Sequence, residues 1–331
     1  MRCISRRASI RGVLGTLIGY TTMDPSAFAS GSVRLGILQF GTVQWVADVI
    51  QRHGLDAKHD FRLQTVTLAN TDAGRVALMA SATDVVVSDW VFVATQRAAG
   101  TKLKFAPFSS ATGGIMVPET SPIRSLGDLR GRTLGVAGGP FDKSWLIVRA
   151  AAQHTAGLDL SSAAKPVYAA PPLLRAKLQQ GELDAVLTYW NFAAQLEVAG
   201  YRQVISVTDC ARTLGLTAPL ALVGFVFRED WALQHNNEIN GFLAAVTAAE
   251  AVLKQSEAEW TRIRPLMAAP DDTLFQNLRR RFLEGISVVS AEEEQRVASR
   301  LFTLLLTTGG PHATGGLNEL PDGIFWQAPY G

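Results

Sequence analysis

The stretch DVVVSDW at residues 84–90 gives the clearest fold signal in this chain of 331 residues. An acidic residue precedes a run of β-branched aliphatic residues, which predicts a short buried strand, and Trp90 then begins a helix that Gly100 closes. Upstream, Asn70 is placed to cap a helix that continues to about residue 81. The stretch therefore predicts a strand between two helices, which is the building unit of a parallel sheet.

The segments on both sides extend this alternation of strand and helix. Residues 33–38 and 61–68 read as strands with a helix between them, and residues 104–108 form a further strand. Strands that alternate with helices are typical of α/β proteins whose sheets are mostly parallel. The first third of the chain therefore predicts one α/β unit.

A second α/β unit begins near residue 113. Its predicted strands cover residues 113–117, 133–137, 165–169 and 185–188, and its longer helices cover about 141–156 and 172–180. A quasi-repeat relates the units, because Arg75, Leu78 and residues 84–90 can be laid over Arg175, Leu178 and DAVLTYW at residues 184–190. Both copies predict a strand that ends in polar and aromatic residues.

The last third of the chain predicts one strand and then helices. The strand covers residues 220–227, and the helical patterns cover 236–253, 258–267, 271–283 and 291–306. Because these helices have no strands of their own, we expect them to pack on the first unit. Arg279, Arg280 and Arg281 lie in one of them, and with a net charge of only +2 a solvated helix face is favoured over a nucleic-acid patch.

The N-terminus predicts export. Arginines precede a mildly apolar stretch at residues 13–20, and an Ala-x-Ala sequence ends at Ala29, so residues 1–29 have the layout of a signal peptide. The sequence SRRASIR at residues 5–11 resembles a twin-arginine signal, although Ser9 stands where that motif has a large apolar residue. An amphipathic or disordered tail is the alternative. No other stretch reaches about 18 uninterrupted apolar residues, so we expect a soluble periplasmic protein.

Residues 118–136, PETSPIRSLGDLRGRTLGV, resemble a segment of the nitrate/sulfonate/taurine class of periplasmic substrate-binding proteins of ABC transporters. SDW at residues 88–90 and GELDAV at residues 181–186 add to this resemblance, which covers about residues 33–285. The resemblance implies the two-lobed (type II) periplasmic binding protein fold, with a mostly parallel sheet flanked by helices in each lobe and a ligand cleft between the lobes. Such proteins close around a ligand by hinge motion.

This family topology implies a division of the chain. Residues 31–110 and 221–331 would form lobe one, and residues 113–219 would form lobe two, with hinge crossings near 111–112 and 218–220. The implied partners are a small-molecule ligand and an ABC transporter permease, without nucleic acid, and the implied state is a monomer. The ligand would be a sulfonate, a taurine-like zwitterion, a nitrate-like anion or a related solute.

Candidate ligand-binding residues follow the predicted strands at their carboxyl ends, where ligands sit in open α/β sheets. In the first unit they are Phe40, Gly41, Thr42, Gln44, Ser88, Asp89 and Trp90. Asp89 offers a carboxylate to an amine or hydroxyl group of the ligand. The alternatives are that Thr42 and Asp89 only cap helices and that Trp90 only packs in the core.

The candidates in the second unit lie at the first crossing and after two strands. They are Thr112, Gly113, Gly138, Gly139, Asp142, Tyr189, Trp190 and Asn191. Two glycines before a helix expose N–H groups, and the helix dipole there favours an anion. Asp142 has the alternative role of stabilising the first turn. Together with Asp89, this helix start predicts a zwitterionic or anionic organic ligand.

Enzymatic activity is the weaker interpretation, and we predict no catalytic residues, cofactor or metal. The five histidines are scattered, and HExxH and GxSxG motifs are absent. The alternative within the same fold is an enzyme of thiamine-pyrimidine or menaquinone precursor biosynthesis, but the cysteine-rich metal motif of the pyrimidine synthases is missing. A periplasmic sensory protein is a second alternative. Cys3 and Cys210 provide neither a disulfide framework nor a CxxC motif.

Overall fold

The computed structural model describes residues 31–39, 41–140, 142–217, 221–286 and 291–327. The predicted signal peptide at residues 1–29, Phe40, and the second predicted crossing at 218–220 lie outside the described residues. Two five-stranded sheets are flanked by helices. The predicted α/β class with two mostly parallel sheets is confirmed, whereas the boundaries of the two lobes stay a prediction.

Ten strands are described: β1 (Gly31–Leu38), β2 (Phe61–Leu68), β3 (Val85–Ser88), β4 (Leu103–Ser109), β5 (Gly114–Pro118), β6 (Thr133–Ala137), β7 (Lys165–Ala169), β8 (Ala185–Thr188), β9 (Tyr201–Ser206) and β10 (Val223–Arg228). The α-helices of the described ranges are α1 (Val43–Arg52), α2 (Leu55–Lys58), α3 (Thr71–Met79), α4 (Trp90–Ala98), α5 (Lys143–Ala156), α6 (Leu160–Ala163), α7 (Pro171–Gln179), α8 (Trp190–Val198), α9 (Val207–Thr213), α10 (Glu229–Gln234), α11 (Asn236–Gln255), α12 (Glu257–Met267), α13 (Asp272–Glu284) and α14 (Ala291–Gly309).

The strands of each sheet run mostly in one direction. The first sheet has the order β2-β1-β3-β10-β4, in which β10 is antiparallel to both of its neighbours. The second sheet has the order β7-β6-β8-β5-β9, in which β5 is antiparallel to both of its neighbours. The carboxyl ends of β1 and β3 therefore point the same way in the first sheet, as do those of β6 and β8 in the second.

The quasi-repeat in the sequence corresponds to a repeated structure. The units α3–β3–α4 and α7–β8–α8 have the same lengths, nine, four and nine residues. Asp84 accepts the backbone N–H of Arg34 at 2.8 Å, and Asp184 accepts that of Thr133 at 2.8 Å. Each carboxylate thereby ties its turn to the neighbouring parallel strand of its sheet.

The turn before each of these strands requires a left-handed residue. Ser81 has φ 55°, and its counterpart Gly181 has φ 75°. In the first turn the N–H of Ala82 donates to the carbonyl of Ala77 at 2.8 Å, and in the second the N–H of Glu182 donates to the carbonyl of Lys177 at 2.9 Å. The backbone closes both helices in the same way, although only the second turn has glycine.

The segment that carries the family resemblance forms a compact turn between β5 and β6. Ser125 and Asp128 make a capping box around a 3-10 helix at Leu126–Leu129, and Asp128 accepts the N–H of Arg124 at 2.9 Å. Arg202 on β9 donates to the carbonyl of Ser121 at 2.8 Å. The polar residues of this segment therefore fix a turn, and they lie on the outside of the second sheet's core.

We call the first sheet with the helices on it the first half of the structure, and the second sheet with its helices the second half. The C-terminal helices contact both halves. Helix α11 packs on β1 and β2, as expected, but α13 also packs on α8 and α14 on α5. One continuous buried cluster contains Val86 of the first sheet, Leu134 of the second and Leu301 of α14. The helices that the sequence assigns to the first unit thus also hold the second.

Strand β9 and helices α8 and α9 were not predicted from the sequence. Residues 201–213 mix polar and apolar side chains without a clear period, and all six residues of β9 are only partly buried. Helix α9 contains Cys210, which is buried and free. Burial raises the pKa of the Cys210 thiol to about 12. Among the described helices none is long and apolar enough to cross a membrane.

Candidate functional site

Residues at the carboxyl ends of β3, β6 and β8 meet in one polar group between the two sheets. We call it the strand-end cluster, and its members are Arg75, Ser88, Asp89, Gly138, Asp142, Lys143 and Tyr189. Asp89 follows β3, Gly138 follows β6 and Tyr189 follows β8, so strand direction brings these residues to the same place. Five of the predicted site residues therefore lie together, along with two cations that were not predicted.

Asp89 is the most heavily bonded residue of the cluster. It is 6% exposed, and its Oδ1 accepts the N–H of Phe92 at 2.8 Å, which caps α4. Its Oδ2 accepts from the Arg75 guanidinium at 2.8 Å and lies 2.5 Å from Lys143 Nζ. The carboxylate is thus both the helix cap that the sequence allowed and the centre of an ion triad.

The ion pair between Asp89 and Lys143 connects the two halves of the molecule. Asp89 follows a strand of the first sheet, and Lys143 is the first residue of α5, which follows a strand of the second. Burial opposes ionisation of Asp89, but the charges of Lys143 and Arg75 and the bonds to Lys143 and Phe92 hold its pKa below the ordinary value. The buried carboxylate therefore remains charged at neutral pH.

The start of α5 already has a carboxylate partner. Asp142 accepts the N–H of Ser144 at 2.9 Å and that of Trp145 at 3.4 Å, so it caps the helix whose N–H groups were predicted to meet an anion. Burial raises the pKa of Asp142, and repulsion by Asp89 adds to the increase against the attraction of Lys143. Asp142 is the carboxyl of the cluster that is most easily protonated.

Gly138 leaves room for two side chains. Its φ is 84°, and a Cβ there would lie 2.4 Å from Asp142 Oδ2 and 2.6 Å from the Tyr189 hydroxyl oxygen. Only glycine fits such a position. Burial raises the pKa of Tyr189, and the charges of Asp142 and Asp89 raise it further. The phenol therefore stays protonated and can donate a hydrogen bond within the cluster.

An aromatic contact links the two halves beside the cluster. Trp190, at the start of α8, makes an edge contact with Trp45 at 6.0 Å between ring centroids, and Phe282 of α13 lies 6.5 Å from it. Trp45 donates its indole N–H to the carbonyl of Leu266 at 3.3 Å, and Gln44 donates to the same carbonyl at 3.4 Å. Gln44 and Trp190 thus face the helical part of the first half.

Four further predicted residues are not members of the strand-end cluster. Thr112 shares a hydrogen bond of 2.7 Å with Thr208, and Gly113 packs so closely that a Cβ would lie 1.7 Å from the Thr188 carbonyl oxygen. Thr42 occupies the N-cap position of α1, as the capping alternative expected, but its side chain makes no cap hydrogen bond. Trp90 is fully buried in the core.

Three predicted residues lie at the edges of this region. Gly41 donates its N–H to the carbonyl of Leu38 at 2.9 Å. Gly139 has φ 98° with open space where a side chain would stand, and Asn191 is a partly buried residue in the first turn of α8. Their assignment to the ligand site stays a prediction.

Arg75 and Lys143 were missed as site residues although the sequence contains a signal for each. Arg75 stands at a fixed distance before SDW in the quasi-repeat, and its counterpart Arg175 donates instead to Gln195. Lys143 follows two glycines at a predicted helix start. A cation near a helix N-terminus is unfavourable alone, which is itself a sign that an anion lies close by.

The fold and the cluster define a class of protein, an α/β molecule with two sheets whose strand ends face one another. Comparison with known proteins agrees. The crystal structure of the periplasmic aliphatic sulphonate binding protein SsuA from Escherichia coli has a TM-score of 0.67, with 19% identity over 90% of this chain and 94% of that one. SsuA from Xanthomonas axonopodis pv. citri, bound to MOPS, has a TM-score of 0.66, with 18% identity over 89% and 98% of the two chains.

A family model described as "NMT1/THI5 like" matches residues 50–258. The chain therefore belongs to the NMT1/THI5-like family. A protein of Escherichia coli (strain K12) named for binding aliphatic sulfonates is 29% identical over 181 residues, which are 54% of this chain and 53% of that protein. The match thus spans about half the length of that relative. The predicted family resemblance and the two-lobed periplasmic binding fold are confirmed.

Proposed function

We propose that this protein is the solute-binding component of an ABC importer and holds its ligand between the two sheets at the strand-end cluster. The observation that supports this most directly is the contact between Asp89 and Lys143. It shows that loops from the carboxyl ends of both sheets come within hydrogen-bond distance, where α/β proteins bind ligands. A ligand that enters between them would replace an internal ion pair with two ligand contacts.

The charges of the cluster favour a small organic anion or zwitterion. When the two halves separate, Lys143 becomes available to an anionic group, while Asp89 keeps Arg75 and can accept from an amine or hydroxyl group of the ligand. The Tyr189 hydroxyl can donate to the same anionic group. Sulfonates suit this arrangement, and relatives of similar fold are named for binding them.

The proposal includes location and partners. Export through the predicted signal peptide would place the protein in the periplasm, and it would deliver its ligand as a monomer to a transporter permease. The role is binding without catalysis. The Escherichia coli SsuA structure in the comparison is described as that of a periplasmic binding protein, which supports this location.

Calorimetric titration with aliphatic sulfonates and taurine, after a thermal-shift screen, tests the proposal. Lys143→Gln and Tyr189→Phe should each weaken binding of the best ligand by about 10–100-fold, because each removes a donor in a water-poor site. Lys165→Gln removes the same charge from an exposed position on β7 and should leave affinity unchanged. Equal affinity in all three variants would refute the assignment of the ligand to this cluster.

A further inference from the structure

A cavity lies beside the first predicted crossing, at residues 111–112. Its volume is about 440 Å³, and Ser110, Ala111 and Thr112 of the crossing line it. Helices α13 and α14 contribute walls on one side, and α5, α8 and α9 contribute walls on the other. The cavity therefore lies between elements that belong to both halves of the molecule.

The charged lining of this cavity is mainly basic. Arg212 of α9 and Arg280 and Arg281 of α13 line it, and Glu284 is the single acidic residue among its described lining residues. Three guanidinium groups from two separate helices provide planar, bidentate donors for a carboxylate or a sulfonate. This arrangement favours an anion.

Two of these arginines are available to a ligand at little cost. Arg280 pairs with Glu284 at 2.9 Å and Arg212 with Asp209 at 2.7 Å, and all four side chains are at least half exposed. Exposed ion pairs of this kind contribute little to stability, so an incoming anion can displace their partners. Arg281 pairs with Glu197 of α8 and is mostly buried, which holds the third guanidinium in place.

The rest of the lining is apolar or hydroxylic. Ile147, Leu222 and Leu301 form a buried aliphatic wall, and Trp190 adds an aromatic surface. Thr112 and Thr208, whose hydroxyl groups are 2.7 Å apart, close the side next to the crossing. A basic rim with an aliphatic wall suits a ligand with an anionic head and a short hydrocarbon tail.

We propose that this cavity is a second binding site, separate from the strand-end cluster, for a small organic anion with a short aliphatic chain. Asp89, Lys143 and Gly138 are not among its described lining residues. Because its walls come from both halves, an occupant would also favour the arrangement in which α13 and α9 face one another. The inference does not depend on the proposed transport function.

Hexanoate is a suitable probe, with acetate and hexan-1-ol as comparators that lack the tail or the charge. By calorimetry, hexanoate should bind more tightly than acetate, with a gain of up to about fourfold for each added methylene group. The double variant Arg212→Gln/Arg280→Gln should weaken hexanoate binding by at least about tenfold. Both positions are exposed, so the variant should fold normally.

The matched control is Arg124→Gln/Arg279→Gln, which removes the same charge at positions outside the cavity and should bind hexanoate like the parent. The Arg212→Gln/Arg280→Gln variant also distinguishes the two sites, because it should leave taurine binding at the strand-end cluster unchanged, whereas Lys143→Gln should weaken it. Equal losses of hexanoate affinity in both double variants would show that net charge alone causes the effect, and they would overturn the proposal. Loss of hexanoate binding in Lys143→Gln alone would place the anion in the strand-end cluster, and it would overturn the proposal as well.

Discussion

Asp89 and Asp142 are neighbouring carboxyl groups with opposite tendencies. Asp89 has two cations and a backbone N–H around it, and its pKa is held below the ordinary value despite burial. Asp142 has two backbone N–H groups, but burial and the nearby charge of Asp89 raise its pKa. Folding therefore favours the charged form of Asp89 and the protonated form of Asp142.

This contrast predicts different effects of the same substitution. At pH 7, Asp89→Asn should lower the free energy of unfolding by about 2–4 kcal/mol, because Lys143 and Arg75 lose their buried counter-charge. Asp142→Asn should be neutral or stabilising, because asparagine also caps helices and avoids a buried charge. Urea denaturation of both variants measures the difference.

The pH dependence follows from the directions of the two pKa shifts. The contribution of Asp89 is complete above its unfolded pKa of about 4 and is lost as pH falls through its lower folded pKa. The deficit of Asp89→Asn should therefore shrink in acid. Any gain from Asp142→Asn should appear as pH rises through the raised folded pKa of Asp142. Equal losses in both variants at pH 7 would contradict this account.

At the scale of elements, the two turns before β3 and β8 form an internal comparison. Both have a left-handed residue at the same place, but Ser81 must adopt φ 55° with a side chain, whereas Gly181 adopts φ 75° without one. A left-handed conformation costs an ordinary residue roughly 1–2 kcal/mol. The first turn therefore contains strain that the second avoids.

Exchanging the residues should move stability in opposite directions. Ser81→Gly should raise the free energy of unfolding by about 0.5–1 kcal/mol, since relief of strain exceeds the added freedom of the unfolded chain. Gly181→Ser should lower it by about 1 kcal/mol. Both sites are exposed, so packing does not interfere. Chemical denaturation measures both, and destabilisation by Ser81→Gly would show that its hydroxyl group has an unrecognised role.

Local patterns predicted most of the elements. The strands at residues 85–88 and 185–188 and the helices that precede them occur where expected, because their hydrophobic runs and turn residues are clear in the sequence. Strand β9 was missed because its side chains are half-buried throughout and lack alternation. Helix α9, at residues 207–213, was missed as well, because residues 201–213 mix polar and apolar side chains without a clear period.

The site was predictable only in part, because it depends on how the two halves meet. Strand ends identified Asp89, Gly138 and Tyr189, since strand direction is a local property. The partners of Asp89 were not identified, because Lys143 begins a helix that follows a strand of the other sheet, and Arg75 lies in a helix fourteen residues earlier in the chain. Contacts between residues of the two halves leave no periodic pattern in the sequence from which they could be predicted.

At the scale of the whole molecule, the two sheets share their buried core. Helix α14 packs on α5, and the cluster that contains Leu301 also contains residues of both sheets. Arg281 of α13 pairs with Glu197 of α8 beside this core. Any motion that separates the halves would therefore expose apolar surface, so burial as well as ion pairs favours the arrangement described above.

The reactivity of the Cys210 thiol can report how often this packing opens. Its thiol is buried in α9, which packs on α5, and a pKa of about 12 leaves almost no thiolate at pH 8. In a Cys3→Ser background, an excess of a disulfide reagent should therefore label Cys210 at least about a hundredfold more slowly than an exposed thiol. Low concentrations of urea should speed the reaction.

The matched control is a Cys210→Ser chain with Thr213→Cys, which places a thiol on the exposed side of the same helix and should react quickly. If the two thiols react at the same rate, α9 separates freely from α5 and the packing between them is weak. If Cys210 reacts slowly, its labelling rate measures how often α9 separates from the boundary between the two halves.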